Sequence, residues 1–145
     1  MADSRYKRLR NISAVSPGDQ IAVFGTEGVV SYYHQAIVES VDDDSNTFNV
    51  MEKMPDGVGR AVYDMGKEDF WKIDNRDRCF SPPEVIARAK SRLGEKQYNL
   101  RDDNCEHFTE WCVTGKARSY QIEALPVGAL LLLPMVQIKR KGKKI

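Results

Sequence analysis

Apolar and polar positions along the chain follow two regimes. Between Gln20 and Met65, apolar residues come in short runs broken by turn residues, as strands do. From Ser81 to Gly115 they recur every three to four residues, as on one side of a helix. The turn Ser16-Pro17-Gly18-Asp19 feeds a predicted strand over Gln20 to Phe24. Gly25 to Gly28 is another turn. Val29 to Val41 and Thr47 to Met54 predict an antiparallel pair joined through Asp42-Asp43-Asp44-Ser45-Asn46. That acidic run lacks the spacing of an EF-hand loop, so it reads as a solvated hairpin turn. Pro55-Asp56-Gly57 leads to a third strand over Val58 to Met65. The charged stretch Gly66 to Asp77 holds Phe70 and Trp71, a connection with a short strand or anchor.

Two helices follow. Ser81-Pro82-Pro83-Glu84 is a capping box with proline at the first helical position. The helix should run to about Leu93 and end at Gly94, burying Val85, Ile86, Ala89 and Leu93, with Arg88, Lys90 and Arg92 on its solvated side. The second helix should start from Asp103 as N-cap, with Glu106 closing a box, and run through Phe108, Trp111 and Cys112 to Gly115. Lys116 to Gln121 is a loop or a short strand.

The hairpin permits a register argument. A turn centred on Asp43 sets Val38 opposite Phe48, Ala36 opposite Val50 and His34 opposite Glu52, all on one inward face. An imidazole opposite a carboxylate is how a general base is held in one tautomer. It is also how an ordinary histidine is satisfied at a sheet margin.

Cys105 is the candidate nucleophile. In the first turn of its helix, unpaired amides and the macrodipole favour a thiolate. The alternative is a buried, inert thiol. His107 lies two residues away and points elsewhere on a helix, so it suits a structural hydrogen bond. His34 is the better base, with Glu52 orienting it.

The 145 residues suffice for one domain. Lys and Arg total 22 against 21 Asp and Glu, and a formal charge of +1 gives no pull towards nucleic acid. Three cysteines without CxxC spacing argue against a disulfide framework or a metal site, and no cofactor is expected. The polar, basic start holds no secretory leader, so a cytoplasmic setting is expected. Residues 1–15 read as a loose basic arm and 122–145 as an apolar segment plus polybasic tail, with the folded domain over 16–121 between them. The apolar run Ala124 to Ile138 is shorter than the roughly 20 residues a spanning helix needs. With Lys139, Arg140, Lys141, Lys143 and Lys144 behind it, the run suits a two-signal membrane contact. A final buried strand with a loose basic end is the other possibility.

Asn104-Cys105-Glu106-His107-Phe108, Trp111-Cys112, Gly115-Lys116-Ala117-Arg118-Ser119-Tyr120-Gln121 and the box His34-Gln35-Ala36-Ile37 resemble the lecithin:retinol acyltransferase family. The likeness takes in the small H-rev-type phospholipase A/acyltransferases. Pro17-Gly18-Asp19, Arg78 to Gly94 and Tyr98-Asn99-Leu100 extend it over about residues 16 to 121. It implies an α+β, circularly permuted papain-like (NlpC-type) fold, with an antiparallel sheet packed against the cysteine helix and a second helix. It also implies acyl transfer through a Cys105 thioester, with His34 as base and a glycerophospholipid as donor. Water, an amine, a lysophospholipid or retinol would accept the acyl group. A C-terminal hydrophobic anchor is typical of the family. The chain departs from the pattern where the family carries a second histidine. Glu52 stands there, and Gln35 replaces the aromatic that often follows the box histidine. Two other readings follow: a membrane- or protein-binding module of the same fold, and a cysteine peptidase or deamidase.

Overall fold

The computed structural model describes residues 4–27, 30–126 and 143–144. The protein is α+β. Strands β1 (Tyr6–Arg8), β2 (Gln20–Glu27), β3 (Val30–Asp42), β4 (Thr47–Met54), β5 (Gly57–Asp64), β6 (Phe70–Ile73) and β7 (Lys143–Lys144) form one antiparallel sheet in the order β1-β6-β2-β3-β4-β5-β7. Helices α1 (Pro82–Lys90), α2 (Cys105–Thr114) and α3 (Tyr120–Glu123) follow the first six strands.

Both sides of the sheet are buried, which explains the dense apolar runs of β3 and β4. Even positions of these strands (Ala36, Val38, Phe48, Val50) join Ile21, Val23, Tyr63 and Phe70 in one core. Odd positions (Ile37, Met51) join Val85 and Ala89 of α1 and Phe108, Cys112 and Val113 of α2 in the other. The helix layer therefore packs on the odd face.

The hairpin register differs from expectation. Val38 pairs with Val50 and Ala36 with Glu52, two residues from the expected match. A shift after Val38 leaves Glu39 as the extra residue, and Val41 then faces Phe48. An even shift keeps every side chain on its face, so His34 and Glu52 still share one.

The first residues are not a loose arm. Tyr6–Arg8 pairs with β6, and Leu9 and Val15 enter the first core. Leu9, Ile12 and Val15 supply an apolar side to an otherwise polar stretch. The capping box of Ser81 and Glu84 forms, but α1 stops at Lys90 before a turn to Gly94. Arg88 and Arg92 are not on a solvated side: Arg88 lies over the rings of Phe80 and Trp111, and Arg92 over Phe108 and Trp111. Guanidinium planes stack on aromatic faces at little loss of hydration. The stretch Lys116 to Gln121, expected as a loop or short strand, runs into a short helix, Tyr120–Glu123, capped by Ser119. Most of the apolar segment expected over 124–138 lies outside the described residues, from 127 onward. Among the described residues no helix is long and apolar enough to cross a membrane.

Candidate active site

Asn104, not Asp103, caps α2. Its Oδ1 accepts from the amides of Glu106 at 2.8 Å and His107 at 3.1 Å, while His107 Nδ1 accepts from the Asn104 amide at 3.0 Å. The box is thus closed by His107 rather than Glu106. Asp103 is already engaged, because its carboxylate lies 2.6 Å from Lys53 Nζ. Lys53 is fully buried and also meets Glu95 at 2.7 Å. Burial pulls the pKa of His107 below its ordinary value, which suits a neutral ring accepting a hydrogen bond. The helix ends at Gly115 in the left-handed region, φ 85°.

This cap sets Cys105 as the first residue of α2, 4% exposed. The β3–β4 ladder ends at the pair Ala36–Glu52, so His34 lies just beyond the last paired residue of β3 on that side. Its Nε2 is 2.8 Å from Glu52 Oε1, and both side chains are almost completely buried. Tyr63 donates its hydroxyl to the same Glu52 oxygen at 2.6 Å. Among the described residues, His34 Nδ1 is buried without a hydrogen-bond partner. Burial alone would lower the imidazole pKa. The charge of the nearby Cys105, with the hydrogen bond and charge of Glu52, outweighs it and pushes the value up to about 9. The structure therefore brings Cys105, His34 and Glu52 into one interacting group.

Glu106, the residue after Cys105, ties α2 to β3. Its Oε1 accepts from Ser119 Oγ at 2.7 Å and from the Gln121 amide at 3.1 Å. The Gln121 side chain accepts from the Tyr33 amide at 2.6 Å and donates to the Tyr33 carbonyl at 2.8 Å. These are backbone groups of β3 on the stretch that β4 no longer pairs, so the carboxamide of Gln121 substitutes for a strand partner next to His34. Behind it, Gln20, Gln35, Asn75, Thr109 and Glu110 form a buried polar network between sheet and α2.

Tyr63, Gln121 and Glu106 were not assigned site roles from sequence. Gln121 and Glu106 stand inside the cysteine motif, which is a signal. Tyr63 had only its parity with Glu52 on the meander to mark it. Burial and the charge of Cys105, with smaller effects of Tyr32 and Asp103, push the Tyr98 hydroxyl well above its ordinary pKa, which places Tyr98 within electrostatic reach of Cys105. Cys112 is pushed up to about 12 by burial and is an inert thiol. Cys79 is exposed, with Sγ 3.2 Å from the Thr114 carbonyl oxygen.

The family model described as Lecithin retinol acyltransferase matches residues 13–118. The chain is similar to human Phospholipase A and acyltransferase 5, with 34% identity over 133 residues, covering 78% of this chain and 46% of that protein. It is also similar to Phospholipase A and acyltransferase 3 of Homo sapiens and of Pongo abelii. Each is 33% identical over 73 residues, covering 47% of this chain and 45% of the relative. The chain thus spans less than half the length of these relatives.

Proposed function

Because the chain belongs to the lecithin retinol acyltransferase family, we propose that it is a thiol-dependent acyltransferase and phospholipase A acting on glycerophospholipids. The observation that carries this reading is the buried imidazole of His34, held at one nitrogen by Glu52 and acted on by Cys105.

In the proposed reaction, Nδ1 of His34 already carries the Cys105 proton, and the thiolate sulfur attacks the ester carbonyl carbon of the donor. The carbonyl electron pair moves onto oxygen. That oxyanion is stabilised at the head of α2, where the Asn104 side chain occupies the amides of Glu106 and His107 but not that of Cys105. Collapse breaks the carbon–oxygen bond, His34 protonates the departing alkoxide, and an S-acyl Cys105 remains. Water, an amine, a lysophospholipid or retinol then gives its proton to His34 and attacks the thioester, which returns the thiol. Glu52 fixes the ring so that Nδ1 is the nitrogen that exchanges protons, and Tyr63 fixes Glu52.

The catalytic unit of this reading is residues 16–121, in the order of a permuted papain-like fold, with the histidine strand ahead of the cysteine helix. Residues 122–145 would serve as the membrane contact, at the cytoplasmic face of a bilayer. A second reading, a binding module without chemistry, is favoured by one feature: Glu52 stands where relatives are expected to carry histidine.

Release of fatty acid from short-chain phosphatidylcholine tests the proposal. The chain should release it and Cys105→Ala should not. Equal release by both would end the enzymatic reading and favour the binding module.

A further inference from the structure

We propose that the ring cluster of Phe24, Tyr33 and Trp71, with Arg8, is the surface on which the body rests on an anionic phospholipid bilayer. This rests on the acyltransferase reading and adds to it where the substrate layer lies.

Tyr33 is the centre of the cluster. The rings of Tyr6, Phe24 and Trp71 meet it edge-on at 4.9, 5.2 and 5.5 Å. The register makes the patch continuous: Phe24 is opposite Tyr33, Ala22 opposite Trp71, and Trp71 opposite Arg8. The aromatic trio Phe48, Tyr63 and Phe70 shows what this sheet does with rings it needs for stability, since all three are fully buried. Phe24 is 48% exposed. Rings that are partly exposed, packed on one another and set beside a cation are the composition of a lipid–water interface.

The charge fits an anionic surface. The Arg8 guanidinium lies 5.5 Å from the Trp71 ring centre, with its side chain 40% exposed. It pairs with Asp69 at 2.6 Å, an exposed contact that a lipid phosphate can replace. Arg5 adds a second guanidinium, 4.1 Å from the ring centre of Tyr120 in α3. The patch reaches α3, since the Tyr33 backbone is held by Gln121; the Tyr33 ring itself points to the face opposite His34, its neighbour on β3. The apolar run that follows α3 starts on the Gln121 side of the patch, while Lys143 and Lys144 of the basic tail pair with β5 at the other edge of the sheet.

The chain has two tryptophans, so Trp111→Phe leaves Trp71 as the reporter. With this variant, brominated phosphatidylcholine in vesicles that also contain phosphatidylserine should quench Trp71. The added pair Phe24→Glu and Arg8→Glu should weaken vesicle binding about tenfold or more. Hydrolysis of a short-chain phospholipid below its micelle concentration should be unchanged, which also reports that the variant is folded. Unquenched Trp71 in vesicle-bound protein would overturn the surface, as would a double variant that binds as tightly as its parent. Absent monomer hydrolysis in the parent would strike the acyltransferase reading instead, and a quenched Trp71 would still support the surface.

Discussion

His34 Nε2 lies 2.8 Å from Glu52 Oε1, yet the residue of β3 directly opposite Glu52 is Ala36. The contact is diagonal, across the last rung of the ladder. Long side chains span that gap, and the strand beyond the rung is left open for α2 and α3. The pairing of β3 with β4 stops two residues short of the imidazole.

The His34 pKa lies above its ordinary value, so protonated imidazole is favoured in the folded chain. Its contribution to stability is fully present below the unfolded value of 6.5 and is lost as pH rises through about 9. Cys105→Ser removes the thiol that raises this pKa, so the imidazole resonances of that variant should titrate at lower pH than those of the parent. An unchanged NMR titration would mean that sulfur and ring do not interact.

Glu52→Gln keeps the shape and an acceptor oxygen but removes the charge. Turnover should fall about a hundredfold or more, in line with losing an oriented base. Thermal stability should fall as well, because removing one partner of a buried pair leaves the His34 imidazolium without its carboxylate. Unchanged turnover in a folded Glu52→Gln protein would contradict the orienting role.

Tyr63→Phe removes one hydroxyl from a fully buried ring that stacks on Phe70 at 5.3 Å. A hydrogen bond to a charged group contributes about 1.5–3 kcal/mol, and a denaturation series should find a loss in that range. Activity should fall as well, because the Glu52 oxygen it holds also holds His34.

Strand periodicity carried much of this in the sequence. His34 and Glu52 were placed on one face because a period of two survives any even slip, and the slip here is two. The bulge at Glu39 carried no sequence signal, so the true register was not legible. The expected cap of α2 was Asp103, and the actual cap is its neighbour Asn104. The choice falls to Lys53, a residue 50 positions earlier that takes Asp103. Arg88 and Arg92 were misplaced because the rings beneath them come from other elements. Tyr63 and the strand-like bond of Gln121 are likewise long-range facts.

Glu52 and Lys53 are neighbours on β4 that point to opposite faces, and each holds one half of the site. Lys53→Met should leave Glu95 and Asp103 without their buried ammonium. A loss of about 3–5 kcal/mol in chemical denaturation is expected, with faster amide exchange around 95–104. A variant as stable as the parent would show the clamp to be dispensable.

The central claim is a covalent acyl group on one sulfur. Intact mass spectrometry after brief exposure to short-chain phosphatidylcholine tests it most directly. The account predicts one added acyl mass, mapped to Cys105, lost on addition of hydroxylamine and absent from Cys105→Ala and His34→Ala. Acylation at Cys79 or Cys112 instead, or an equal adduct in Cys105→Ala, would contradict it.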